Sequence, residues 1–310
     1  MPSSVESIEV IALSLPGAKG TVPFGEHHTW YRITGELHAD RPALVVVHGG
    51  PGATHDSLIG LASLAEDGWP VVHYDQIGNG GSSHLPERSA DFWTVQLFLD
   101  ELDNLLRGLG IADDYVLFGH SWGGILSAKH AAAKPKGLRG LVLADAPASY
   151  PLWLREMDVL RAQLPPGVDD ILRRHEAAGT TDTQEYLDAS MVFYNKHVCR
   201  LNPWPREYLA TFMEVYNDPT VYFTMNGPTE FHVTGTLRDF SVTDCAADIE
   251  APTLLLSGRH DEATEAVIQP YHDLVPDVRW EIFEESSHVP HLEEPEHFRE
   301  VLLQFLKGLG

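Results

Sequence analysis

Ser121 is the residue around which chemistry could be built. It lies in Val116-Leu117-Phe118-Gly119-His120-Ser121-Trp122-Gly123-Gly124, an apolar run that ends in a serine fenced by glycines. Gly119-His120-Ser121-Trp122-Gly123 fits G-x-S-x-G, in which a strand turns so sharply into a helix that only hydrogen side chains fit on either side of a nucleophile. The backbone N–H of Trp122 then sits at a helix N-terminus, where it can stabilise an oxyanion. Taken alone, the five residues are equally compatible with a glycine-capped strand and a serine N-cap, so the rest of the chain must decide.

A serine hydroxyl needs a base to take its proton and an acid to orient that base. In α/β hydrolases these follow in the order serine, acid, histidine, each in a loop after a sheet strand. The apolar run ending at Gly258 leads into Arg259-His260-Asp261-Glu262, and the run ending at Phe283 leads into Glu284-Glu285-Ser286-Ser287-His288. Asp261 and His288 therefore occupy the acid and base slots. Asp261 could also cap a helix ahead of Ala263, and His291 competes with His288, which lies nearer the strand end. His120, beside the serine on a sharp turn, is expected to pack against the elbow rather than act as base. A second oxyanion donor is expected from the loop after Ala43-Leu44-Val45-Val46-Val47, where Gly50 of His48-Gly49-Gly50-Pro51-Gly52 would share the charge with Trp122.

Other chemistries fit poorly. No loop has the G-x-x-x-x-G-K-[ST] spacing of a phosphate cradle, and no H-E-x-x-H or comparable ligand spacing points to zinc, so neither cofactor nor metal is expected. With 21 basic and 45 acidic residues among 310, the net charge is −24. That balance argues against nucleic acid and anionic membranes, and it favours small cationic molecules or serves solubility alone. Cys199 and Cys245 suggest no disulfide framework. The N-terminus lacks a basic region followed by a long apolar run, and no stretch approaches the roughly 20 apolar residues of a membrane helix. A soluble, cytoplasmic protein is expected.

The elements that must position these residues alternate. Residues from about Ile8 to Glu36 read as antiparallel edge strands. Buried strands follow at Ala43–Val47, Pro70–Tyr74, Val116–Gly119 and Leu138–Ala144, with an amphipathic helix between Asp91 and Gly110 and a small-residue helix after Ser121. From about Pro147 to Phe240 only helical periodicity appears, and the strand pattern resumes at Pro252–Gly258 and Val278–Phe283 with a helix after each. This predicts an α/β fold with a mostly parallel central sheet flanked by helices, a core formed by residues 1–146 and 241–310, and an inserted helical cap at 147–240.

His48-Gly49-Gly50-Pro51-Gly52, Asp75-Gln76-x-Gly78-x-Gly80-x-Ser82, Gly119-His120-Ser121-Trp122-Gly123-Gly124, Asn226-Gly227-Pro228-Thr229-Glu230-Phe231, Gly258-Arg259-His260-Asp261-Glu262 and Ser287-His288 together resemble the proline iminopeptidase family of α/β-hydrolase serine peptidases. The resemblance is closest to the branch of L-amino acid amidases and proline-preferring aminopeptidases, and spans about residues 24 to 306. It implies that Glu230 and Glu262 hold the free amino group of the substrate, which accords with the need of a buried ammonium for carboxylate partners. Ile77 departs from the arginine that many members carry in the D-Q-x-G loop. Phe193, Tyr194, Trp204, Tyr222 and Phe223 are candidates for the wall of the side-chain pocket. The function implied is removal of an N-terminal amino acid, proline preferred, from short peptides or amino acid amides, with an acyl-enzyme and no cofactor. An esterase, lactonase or general amidase on the same scaffold, and a non-catalytic binding protein, remain the alternatives, and the oligomeric state is not specified by these residues.

Overall fold

A computed structural model describes residues 15, 17–37 and 40–309. Of the anticipated edge strands, Ile8, Val10 and Ala12 lie outside the described residues, while β1 (Gly17–Phe24) and β2 (His27–Thr34) form an antiparallel pair. They join β3 (Ala43–Val47), β4 (Val71–Asp75), β5 (Tyr115–His120), β6 (Leu138–Ala144), β7 (Thr253–Gly258) and β8 (Val278–Phe283). The eight-stranded sheet runs in the order β1-β2-β4-β3-β5-β6-β7-β8. β2 pairs antiparallel with β4, and every pairing from β4 onward is parallel.

The strands read as continuous apolar runs because both faces of the sheet are covered. Val45, Val47, Leu117, Leu141, Leu143 and Leu255 face one buried cluster, and Leu44, Val46, Val116, Phe118, Val142, Ala144, Leu254 and Leu256 face the other. The first cluster is closed by α1 (Val95–Gly108) and α2 (Trp122–Ala131), and the second by a tight-turned stretch at Asp56–Asp67 and α10 (Pro295–Gly308). Between β6 and β7 lie α3 (Tyr150–Arg161), α4 (Val168–Ala178), α5 (Gln184–His197), α6 (Arg206–Asn217) and α7 (Thr220–Met225). The short α7 and α9 (Pro290–Glu293) carry too few periodic residues to show as helices in the sequence, whereas α8 (Glu265–Leu274) matches its pattern.

This topology gathers the chemistry. The carboxyl ends of the parallel strands open on one edge, the usual place for a site in such sheets. The loops after β3, β4, β5, β6, β7 and β8 bring His48–Gly52, Gln76–Ser82, Ser121, Asp145, Asp261 and His288 there. The helices of residues 147–240 cover the same edge. α7 presses on two of the loops, since a Cβ at Gly52 would lie 2.8 Å from Tyr222 N and one at Gly78 would collide with Val221. Thr211 of α6 donates to Thr54 O at 2.8 Å and accepts from Thr54 N–H at 2.9 Å.

Candidate active site

The turn at Ser121 is as tight as the glycines require. Ser121 has φ 54° and ψ −122°, a region that residues with a side chain avoid, and its N–H donates to Ala144 O at 2.9 Å. A Cβ at Gly123 would fall 2.0 Å from Val47 O, so the helix can start directly over β3 only without one. The Ser121 hydroxyl has no hydrogen-bond partner among the described residues and faces a cavity of about 70 Å³. Gly49, Gly50, Tyr194, Tyr208, Thr211, Tyr222, Glu230, Glu262 and His288 line the same cavity.

His288 Nδ1 lies 2.7 Å from Asp261 Oδ1, with both residues buried. Asp261 Oδ1 also accepts from Ala263 N–H at 2.8 Å, so the residue caps the following turn and meets the histidine at once. Burial works against a charged imidazole at His288, but the carboxylate of Asp261, joined by the charges of Glu230 and Glu293, outweighs it and the pKa is raised. His291 is spent elsewhere, on Ser57 O at 3.0 Å, and its burial pushes its pKa down to about 3. His120 bonds through Nε2 to His288 O at 2.8 Å and supports the loop of the neighbouring histidine, as the packing role anticipated for it requires. No Ser121–His288 hydrogen bond is formed in this structure; in serine hydrolases that bond often tightens only with substrate bound.

Gly50 has φ 113°, open to glycine, and among the described residues neither its N–H nor that of Trp122 is taken by a backbone acceptor. One side chain ties the two loops together. Gln76 donates through Nε2 to His48 O at 2.9 Å and accepts from Trp122 Nε1–H at 2.9 Å, while its own N–H donates to His48 Nε2 at 2.9 Å. The adjoining Ile77 N–H donates to both oxygens of Glu101, at 2.9 and 3.0 Å, a carboxyl that burial pushes up to about 8. Ile77 itself is fully buried.

The cavity is walled by acid opposite the serine. Glu230 accepts from Tyr222 O–H at 2.6 Å, and burial raises its pKa. Glu262 is 1% exposed, its Oε2 has no partner among the described residues, and Oε1 stands 3.9 Å from His288 Nε2. Burial, and then the negative charges of Glu230 and Asp261, raise its pKa well above the ordinary value. Two carboxylates in a closed apolar site without a cation between them are unfavourable, so the arrangement suits a ligand that brings positive charge and N–H donors.

Of the aromatic candidates for the pocket wall, Tyr194 and Tyr222 line the cavity. Phe193 and Trp204 are buried in the core of the helical region, and Phe223 is exposed on its outside. Gln76 and Asp145 escaped the motif reading. Gln76 stood in a quoted motif with no role, and Asp145 directly follows β6, a slot that only a survey of every strand end would have raised. Among the described residues no group of three or more His, Cys, Asp or Glu is placed to hold a metal ion, and no helix is long and apolar enough to cross a membrane.

The family described as alpha/beta hydrolase fold matches over residues 42–295. Proline iminopeptidase of Saccharolobus solfataricus is 38% identical over 280 residues, 90% of this chain and 88% of that one. Proline iminopeptidase of Heyndrickxia coagulans is 36% identical over 266 residues, 86% and 91% of the two chains. Among solved structures, VinJ superposes with a TM-score of 0.94 at 66% identity, over 95% of this chain and 100% of that one. Proline iminopeptidase of Mycobacterium smegmatis superposes with a TM-score of 0.88 at 48% identity, over 94% and 98%. Sheet order, strained serine turn and sequence matches along most of the chain agree, and the chain belongs to the α/β-hydrolase fold family and, within it, to the proline iminopeptidases.

Proposed function

We propose that this protein is a serine hydrolase that releases an N-terminal amino acid, proline preferred, from short peptides or amino acid amides. The observation that carries this reading is the pair Glu230 and Glu262 facing Ser121 across one cavity, with Glu262 Oε2 unpartnered. The relatives named proline iminopeptidase support the same substrate class. In this reading Ser121 Oγ attacks the carbonyl carbon while its proton passes to His288 Nε2, and Asp261 holds the Nδ1–H and steadies the imidazolium. The developing O⁻ is held by the N–H groups of Gly50 and Trp122. Collapse breaks the C–N bond, His288 returns the proton to the leaving amine, and water then hydrolyses the acyl-enzyme by the same route. No cofactor or metal takes part in this scheme.

Glu230 and Glu262 hold the substrate ammonium and thereby set the distance from the N-terminus to the bond cut. Residues 147–240 act as a cap that closes the cleft against long polypeptides, and a cytoplasmic setting belongs to the same reading. The test compares kcat/KM for L-prolinamide, L-proline p-nitroanilide and N-acetyl-L-prolinamide in wild type, Glu230→Gln and Ser121→Ala. Blocking the amine is expected to cost a factor of about 10⁴, as in sites whose buried polar groups are left unpaired. Equal turnover of the blocked and free amides, with Ser121 still required, would move the protein to the esterase or general amidase class.

A further inference from the structure

Two buried carboxylate oxygens at neighbouring strand ends lack a donor among the described residues: Asp145 Oδ2 and Asp261 Oδ2. Asp145 follows β6 directly, is 0% exposed, and has φ 54°, a left-handed conformation that aspartate tolerates better than most residues. Its N–H donates to Leu256 O at 2.8 Å, and its Oδ1 accepts from Gly258 N–H at 3.2 Å. The carboxyl is thus pinned by β7, the strand that leads to Asp261, and its idle Oδ2 lies beside the Asp261 carboxyl. Asp261 Oδ1 is already used by His288 and Ala263. Two ionised carboxylates cannot both persist this close in a dry site, and a single proton between them satisfies both idle oxygens.

The surroundings decide which residue carries it. Asp261 already receives N–H donors from His288 and Ala263, whereas Asp145 receives one backbone N–H. His120 of β5 faces Asp145 at 3.8 Å but is itself held neutral by burial, and Glu293 of α9 adds negative charge. Around Asp261 stand His288, His197 of α5 and Glu262. We propose that Asp145 is a neutral carboxylic acid whose O–H donates to Asp261 Oδ2, so that Asp261 meets His288 as a carboxylate held by three donors. Burial, and then the charge of Asp261, push the pKa of Asp145 well up, in the direction this requires. Asp145 is a positioning residue: it fixes the rotation of the Asp261 carboxylate. Its catalytic consequence rests on Asp261 and His288 acting as proposed above.

Asp145→Asn keeps a donor toward Asp261 and an acceptor for Gly258, so kcat/KM is expected within about threefold of wild type, and the acid limb of its pH profile in place. Asp145→Ala removes the donor. It should lower kcat/KM about tenfold and move the acid limb to higher pH, because a carboxylate with one donor fewer holds the imidazolium more strongly. If Asp145 were ionised, Asp145→Asn would delete a charge and drop the acid limb by about one pH unit, which overturns the proposal. A direct readout covers a failure to fold or of the catalytic reading. Glu101 and Glu262, whose pKa values burial also raises, absorb in the same region, so the readout is a difference: subtracting the infrared spectrum of Asp145→Asn from that of wild type, and that of Ser121→Ala/Asp145→Asn from that of Ser121→Ala, should leave one C=O stretch of a buried carboxylic acid at neutral pH. Absence of that difference band refutes the shared proton whatever the kinetics show.

Discussion

Glu262→Gln should make the protein more stable and less active at once. The wild-type side chain is 1% exposed, one oxygen has no partner, and Glu230 and Asp261 both add negative charge. A buried acceptor without a donor costs about 1–3 kcal/mol, more when charged, and glutamine preserves the shape without the charge. A gain of about 1–3 kcal/mol corresponds to a Tm higher by about 2–6 °C in a chain of this size. The pH dependence gives the sign. Because the folded-state pKa is raised above the unfolded value of about 4.3, the folded protein binds more protons between the two, and wild-type stability falls as pH rises through that window. The Tm difference should therefore be widest at pH 8 and close toward pH 4. Losing a charge-assisted hydrogen bond to the substrate ammonium should reduce kcat/KM on L-prolinamide about 10²-fold, while any residual turnover of N-acetyl-L-prolinamide is unchanged. Thermal unfolding at several pH values together with initial rates measures both. A variant that melts lower at pH 8, or that keeps full activity on free-amine substrates, would refute the idea of a carboxylate left unpaired until substrate arrives.

Gln76→Ala should lower kcat about 10- to 100-fold with little change in KM, because it unties the loops that present the Gly50 and Trp122 N–H groups; a rise in KM alone would show that Gln76 serves substrate binding instead. Ser121→Gly should abolish activity yet leave Tm equal or higher, since relief of about 1–3 kcal/mol of strain at φ 54° outweighs the roughly 0.5–1 kcal/mol entropic cost of glycine. A clear loss of Tm would mean that the turn is not strained. For wild type, activity depends on a neutral His288, so the acid limb of kcat/KM should lie above the ordinary imidazole value of about 6.5 and move down in Asp261→Asn. A limb that stays put in that variant would separate His288 from Asp261.

Much of this protein is readable without coordinates because its signals are local. Apolar runs such as Ala43–Val47 and Thr253–Gly258 are strands buried on both faces, and amphipathic spacing between Val95 and Gly108 is a helix against one of those faces. Glycines at 119 and 123 mark a turn that admits no Cβ, a steric demand written in five consecutive residues. Chain order then points to Asp261 and His288, because parallel strands deliver their loops to one edge whatever the loops contain.

The tertiary structure alone decided the matters that depend on distance between remote segments. It gave His288 to Asp261 and His291 to Ser57, although the two histidines are three residues apart and identical in type. It separated Tyr194 and Tyr222 at the cavity from Phe193 and Trp204 in the core, a distinction of which helix face meets which neighbour. It also revealed what no spacing rule encodes: Gln76 bridging two loops, Asp145 beside Asp261, and Glu262 left without a donor. Sequence carries periodicity, turn chemistry and chain order, which act over a few residues. Hydrogen-bond partners, burial and the charge state of a carboxyl arise only when strands far apart in the chain are packed into one dry edge.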